Sequence, residues 1–146
     1  VCTFRQIENY KSKLSGPLID RIDIFIEVPK VKTSEFKVDE KYENAVTSKM
    51  IKDKVEKSRI IQLSRFKNTK ITFNSEMTTK EINKYCKLDL ESENILKQAI
   101  SNLNLSARAY YRILKLSRTI ADLEWSDDIK KEHILEALSF RKREEK

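Results

Sequence analysis

Ser106-Ala107-Arg108-Ala109-Tyr110-Tyr111-Arg112-Ile113-Leu114-Lys115-Leu116-Ser117-Arg118-Thr119-Ile120-Ala121-Asp122-Leu123 is the stretch that decides the fold. Ser106 is a good N-cap, because its hydroxyl can accept an N–H that the first turn of a helix leaves without a partner. Beyond it, Tyr110, Ile113, Leu114, Ser117, Ile120 and Ala121 recur at helical spacing and predict a helix from Ala107 to about Leu123 with that stripe inward. On its N-terminal side a helix is predicted from about Leu90 to Leu103, with Ile95, Leu96, Ala99, Ile100 and Leu103 on one face. Thr78-Thr79-Lys80-Glu81 has capping-box spacing, and Met77 and Ile82 flank it as a hydrophobic staple, so a short helix is expected from Thr79 to about Lys87. On the C-terminal side Asp127 or Asp128 is expected to cap a last helix reaching about Arg143, with Ile134, Ala137 and Leu138 inward. Residues 78–143 thus read as a four-helix unit with short connections.

Towards the N-terminus the pattern changes. Thr3 and Gln6 have capping-box spacing ahead of Ile7, Tyr10 and Leu14, which predicts a short helix that Ser15-Gly16-Pro17 stops. Ile22, Ile24, Ile26 and Val28 alternate with Asp23, Phe25 and Glu27, the period of a β-strand, and Pro29 ends it. One strand makes no sheet. It either pairs with something outside this chain or packs on the helices as an extended arm. Residues about 40–66 hold no Gly or Pro and are helical by composition, with smeared periodicity: Tyr42, Val46 and Met50 make one stripe, and Ile51 and Val55 begin another. Residues 68–75 show no clear pattern.

The 146 residues contain one Gly and two Pro, with 39% apolar and 36% charged residues. That composition favours amphipathic helices and excludes glycine-cradled phosphate loops, a Walker A motif among them. No apolar run is long enough to span a membrane. Cys2 and Cys86 lie far apart, with no metal-ligand spacing, which fits a cytosolic, reducing compartment. The formal net charge is +7. The excess concentrates at residues 41–70, where nine basic residues meet three acidic ones. Such a field attracts polyanions, and Lys49, Lys52, Lys54, Lys57 and Arg59 are the candidates for nucleic-acid contact; a solvated lysine-rich helix face is the competing reading. No aromatics interleave with these residues.

Arg108 breaks a local rule. It lies in the first turn of its helix, where the macrodipole disfavours a cation. The same helix end suits a phosphate, and an arginine beside its N–H groups would strengthen an anion site. Arg112 and Lys115 follow on the same polar face. On position alone a basic solvent face is the stronger reading. Arg21, between Asp20 and Asp23, reads on physics as a salt-bridged surface arginine. His133, the only histidine, reads as surface. No catalytic constellation and no metal-ligand set is visible.

Leu14-Ser15-Gly16-Pro17-Leu18-Ile19-Asp20-Arg21-Ile22-Asp23-Ile24, continuing to Ile26-Glu27-Val28-Pro29, resembles the segment after sensor 1 in Mg-chelatase-related AAA+ ATPases, the ComM (YifB-like) competence family. Leu105-Ser106-Ala107-Arg108-Ala109-Tyr110, with Arg112-Ile113-Leu114-Lys115, Arg118-Thr119-Ile120-Ala121-Asp122-Leu123-Glu124, His133-Ile134-Leu135-Glu136-Ala137-Leu138 and Phe140-Arg141, resembles the same family's C-terminal domain. The resemblance covers essentially the whole chain in family order. It implies that Arg21 is an arginine finger acting in trans on a neighbouring subunit's ATP, that Arg108 is a sensor 2 arginine meeting the γ-phosphate of its own subunit's nucleotide, and that Arg112 is a further nucleotide contact. Of the cysteines that the family carries just before this region in a metal site, only Cys2 remains.

Walker A, Walker B and sensor 1 are absent. The expectation is therefore a mainly α chain: a helical AAA+ lid bundle at residues 36–146, and an N-terminal arm, residues 1–35, that holds one isolated strand from the AAA+ core. The chain alone is expected to be inactive and to bind no cofactor tightly. The full protein is expected to be a cytoplasmic homo-oligomeric ring, a hexamer, that uses ATP and Mg²⁺ and remodels or translocates on DNA, with no membrane partner. The alternatives are the ATPase subunit of Mg-chelatase, which drives metal insertion into a porphyrin, and a stand-alone basic helical module that binds nucleic acid.

Overall fold

The computed structural model describes residues 3–11, 13, 18, 21–30 and 46–141. Its helices are α1 (Phe4–Lys11), α2 (Ser48–Phe66), α3 (Thr79–Tyr85), α4 (Leu90–Asn102), α5 (Ala107–Leu123) and α6 (Lys131–Ser139), with a 3-10 turn at Asn74–Glu76 before α3. Among the described residues there is no sheet, so the fold is mainly α, a helical bundle as expected. Cys2, the Ser15-Gly16-Pro17 stop, Tyr42 and the 35/36 domain boundary lie outside the described residues.

α5 is the central element. It packs against α2, α3, α6 and the 3-10 turn, while α4 rests on α6. Of its expected stripe, Ile113, Leu114, Ser117, Ile120 and Ala121 are buried and Tyr110 is half-buried. Ser106 caps it, its Oγ accepting the Ala109 N–H at 3.2 Å. α3 starts as its capping box requires: the Glu81 carboxylate accepts the Thr78 N–H at 2.9 Å and also the Thr78 hydroxyl. These bonds, the hydroxyl first, hold the Glu81 carboxyl below the usual carboxylate range. Met77 and Ile82 are both buried beside it, as a staple should be. The Thr3–Gln6 box also forms, with Thr3 N–H on Gln6 Oε1 at 2.9 Å and Gln6 N–H on Thr3 Oγ1 at 3.4 Å.

α4 and α5 end in the same way without glycine. Leu105 N–H reaches back to the Ile100 carbonyl, and Ser126 N–H to the Ala121 carbonyl, the six-to-one bond of a Schellman motif. The residues at the left-handed position are Asn104, at φ 47°, and Trp125, at φ 58°. Asn tolerates that region, but a bulky aromatic there costs about 1–2 kcal/mol.

Four expectations are corrected. The last helix does not begin at Asp127 or Asp128, and it stops at Ser139 rather than Arg143. Ile129 is buried and forms a parallel bridge with Leu88, which holds residues 127–130 off the helix. His133 is not surface: it is 2% exposed, and its Nδ1 accepts the Lys130 N–H at 3.0 Å, the task of a capping side chain. Its proton therefore sits on Nε2, which meets Glu124 Oε2 at 3.0 Å. The α2 stripes also differ. Val46, Met50, Ile51 and Val55 are exposed, and the buried positions are Ser58, Gln62 and Phe66, four residues apart and mostly polar. Finally, residues 22–28 form no ladder; the segment meets the bundle at Ile22, Asp23 and Phe25, and Ile26 and Val28 are exposed.

The polar inner face of α2 has a purpose. Asp122, on α5, is fully buried and accepts from two arginines. Arg65 of α2 grips it with both terminal nitrogens, the Nη1–Oδ2 bond being 2.7 Å, and Arg118 Nε donates to Oδ1 at 3.0 Å. Asn74 of the 3-10 turn donates to Asp122 Oδ2 at 2.8 Å and accepts from Arg65 at 3.0 Å. Arg118 Nη1 also donates to the Asp127 carbonyl at 2.7 Å, and Gln62 accepts the Asn74 N–H at 3.3 Å. Cys86, buried beside this cluster, has its thiol pushed up to about 11 by burial, with Arg118 and Arg65 pulling the other way.

Removing the carboxylate would leave two desolvated guanidinium groups without their counter-charge, a loss of about 3–5 kcal/mol. Asp122→Ala is expected to lower stability by that amount in urea unfolding. Asp23→Ala, at an exposed pair, is expected to change it by less than about 1 kcal/mol.

Candidate functional site

Arg108 is exposed in the first turn of α5, as its place in the sequence requires. The α5 N-terminus is partly capped already, since Ser106 takes the Ala109 N–H. One turn further on, Arg112 does not face open solvent. Its Nη1 donates to the Arg21 carbonyl at 2.9 Å and pairs with the Asp23 carboxylate. Arg141, just past α6 and buried, donates from Nη1 to the Ile22 carbonyl at 2.7 Å. The Phe25 N–H donates to the Phe140 carbonyl at 2.8 Å. The arm from Arg21 to Phe25 is therefore laid across α5 and the end of α6 by backbone-directed bonds, and the exposed side chain of Arg21 starts from the same end of α5 as Arg108.

The face of α5 read as polar and solvated is thus half-buried and engaged. Arg112 fastens the arm, and Lys115 Nζ donates to the Ser75 carbonyl at 2.8 Å. Burial, then the nearby Arg112 charge, moves Lys115 below the usual lysine range. Sequence spacing had no means of finding these partners, which come from 40 to 119 residues away. Arg112, expected at the nucleotide, has its guanidinium occupied by Asp23 and the Arg21 carbonyl.

Lys49, Lys52, Lys54, Lys57 and Arg59 are all exposed on α2. They do not converge on one face. Lys52 pairs with Glu56 at 3.7 Å, Arg59 lies 4.0 Å over the Phe73 ring, and Lys57 Nζ lies 4.7 Å over the Trp125 ring. Lys57, Ile60, Ile61 and Trp125 line an open groove of about 230 Å³. Aromatic neighbours for these cations, absent between Lys49 and Arg59 in sequence order, are thus supplied by the fold from Phe73 and Trp125. Among the described residues, no group of three His, Cys, Asp or Glu side chains is placed to hold a metal ion. No helix among them is long and apolar enough to cross a membrane.

The arm contacts give an expected outcome for this chain. In Arg112→Ala the Phe25 amide should exchange with solvent at least several-fold faster in native-state hydrogen exchange. Amides in the middle of α5 should keep their rates.

Comparison with known proteins then places this geometry. The family described as magnesium chelatase, subunit ChlI C-terminal, matches residues 45–141, and that described as magnesium chelatase, subunit ChlI, matches residues 1–36. The competence protein ComM of Haemophilus influenzae is 40% identical over 137 residues, 94% of this chain and 26% of that protein. The uncharacterized protein YifB of Salmonella typhimurium is 34% identical over 140 residues, 96% of this chain and 26% of that protein, and the YifB protein of Escherichia coli matches to the same extent. The chain spans about a quarter of the length of these relatives. A helical bundle matched over residues 45–141, preceded by an arm matched to the family's other segment, leaves one conclusion: the chain belongs to the magnesium chelatase ChlI family and carries its C-terminal domain.

Proposed function

We propose that this chain is the lid and arginine-finger segment of an ATP-driven AAA+ motor of the Mg-chelatase-like competence branch. Residues 1–35 would be the last part of the AAA+ core and residues 36–146 the lid. What carries the reading is the pairing of two observations at one helix end. Arg108 is an exposed cation in the first turn of α5, where local electrostatics disfavours it unless an anion is near. The Arg21 carbonyl is bonded to Arg112 one turn further along that helix. A terminal phosphate is the ligand that would satisfy Arg108, with the N-terminal N–H groups of α5 beside it.

In this reading Arg108 orients the γ-phosphate of the chain's own nucleotide. Arg21 projects into the neighbouring subunit's site, where its charge offsets the charge building on the transferred phosphoryl. ATP with Mg²⁺ supplies the phosphoryl group and its counter-ion. Groups that coordinate Mg²⁺ would come from the rest of a longer protein, and the assembly would be a homo-oligomeric ring, a hexamer. The name of the H. influenzae relative favours a competence role, and thus DNA as what the motor acts on. Membership of the magnesium chelatase family keeps metal insertion into a porphyrin as the second reading.

Arg21→Ala and Arg108→Ala in the full-length protein should each cut ATP turnover by about 10³–10⁵-fold for a finger-type arginine and leave the helical fold intact. Mixing the two inactive variants should restore part of the turnover. In a mixed ring, a site can combine the lid of an Arg21→Ala chain with the finger of an Arg108→Ala neighbour. Exchange of subunits with no recovery would remove the cis and trans assignment. Full activity of either variant alone would remove that arginine's role.

The basic helix α2 is proposed as the DNA contact of the segment, through Lys49, Lys52, Lys54, Lys57 and Arg59. Binding to duplex DNA should weaken with salt by about 0.9 log units per log unit for each phosphate neutralised, with little dependence on sequence. A flat salt dependence, or no binding at low salt, would leave these residues as a solvated face.

A further inference from the structure

We propose that Asp23, Arg112 and Arg141 are positioning residues that fasten the arm bearing Arg21 to α5 and α6, so that the stance of Arg21 follows the helix whose first turn carries Arg108. The inference rests on the roles given above to those two arginines, and goes beyond them by connecting the two.

The attachment is polar and directional. Four contacts fall on residues 21–25: Arg112 to the Arg21 carbonyl at 2.9 Å, Arg112 to the Asp23 carboxylate, Arg141 to the Ile22 carbonyl at 2.7 Å, and Phe25 N–H to the Phe140 carbonyl at 2.8 Å. Hydrophobic burial holds little of this stretch, in which only Phe25 is half-buried. Ile22, Ile24 and Ile26 are 40%, 44% and 69% exposed. A greasy contact tolerates sliding, whereas a guanidinium donating to a named carbonyl sets both distance and angle. Arg141 is 6% exposed, so its bond to the Ile22 carbonyl is largely shielded from competing water. The Asp23 carboxylate is more open, and by itself would add little. Its part is to hold the Arg112 fork in register with the Arg21 carbonyl.

The mechanical link is short. Arg108 and Arg112 are one turn apart on a 17-residue helix, about 6 Å along its axis. An anion that draws Arg108 towards it would shift the bundle built around α5, with Arg112 and Arg141, and therefore the backbone at Arg21. Occupancy of the chain's own nucleotide site would then set how Arg21 is presented to the neighbour. By linkage, the neighbour's occupancy would bias the lid in return.

The test uses the full-length protein and the slowly hydrolysed analogue ATPγS. Hydrogen exchange over residues 21–26 should change when ATPγS binds to the unaltered protein. In Arg112→Ala, and to a smaller degree in Asp23→Asn, ATPγS should still bind within about twofold of normal, but exchange over 21–26 should be faster and respond less to it. Turnover should show the same split, with kcat reduced tenfold or more and KM nearly unchanged. Asp23→Asn keeps the side-chain shape and serves if Arg112→Ala fails to fold. Loss of ATPγS affinity in Arg112→Ala would overturn the proposal in favour of a direct nucleotide contact. Unaltered kcat and unaltered exchange in both variants would overturn it outright. If Arg21→Ala is impaired while Asp23→Asn and Arg112→Ala behave normally, only the coupling fails. If Arg21→Ala is fully active, the arginine-finger reading itself fails.

Discussion

One buried carboxylate organises the bundle. Asp122 is fully enclosed and is shared by Arg65 and Arg118, with Asn74 completing its shell. Each partner comes from a different place: α2, the preceding turn of α5, and the 3-10 turn. A charge in low dielectric must be paired, and the pairing here joins three segments with fixed geometry. It explains why the inner face of α2 carries Ser58, Gln62 and Arg65 beside Phe66 rather than a row of leucines. It also explains why α5 ends where it does: Arg118 holds the Ser126 and Asp127 carbonyls, so the chain turns at Trp125 even without a glycine to make that turn.

The second organising feature lies at the other end of α5. Arg112 and Arg141 reach back to the arm near the N-terminus and bind its backbone carbonyls. One helix therefore has a rigid buried cluster at its C-terminal half and an arm fastened near its N-terminal half. Motion of α5 relative to anything bound at Arg108 would be passed to the arm rather than absorbed within the bundle. That is the physical basis of the coupling proposed between Arg108 and Arg21.

The helix stretch 107–123 was legible because its apolar residues follow one face without interruption, and its Ser106 cap is a strictly local bond. The same holds for Thr78–Glu81 and Thr3–Gln6, whose partners sit three residues apart. Legibility failed where the decisive partner was distant. His133 is a different case: its bond to Lys130 is local, but histidine is not among the usual capping residues, and its burial comes from packing that no local pattern shows. Asp127 and Asp128 are good caps by composition, but Ile129 is held by Leu88 from another part of the chain. α2 had smeared periodicity because its inward face is polar by design of the Asp122 cluster, and apolar spacing is blind to a polar interface.

The candidate site divides in the same way. Arg108 stood out from the sequence alone, because a cation in a first turn opposes the helix dipole whatever the rest of the molecule does. The family and the helical class were thus legible in local order: caps, periodicity and motif wording; Arg21, which reads on physics as a salt-bridged surface arginine, was singled out only by the resemblance. Only the tertiary structure decided that Arg112 fastens the arm instead of facing solvent, that the Arg21 carbonyl is bonded to the helix that carries Arg108, and that Phe73 and Trp125 lie against the lysine-rich α2. Those facts depend on long-range hydrogen bonds and packing between residues as many as 119 positions apart, and no periodicity in a sequence encodes which carbonyl a guanidinium will find.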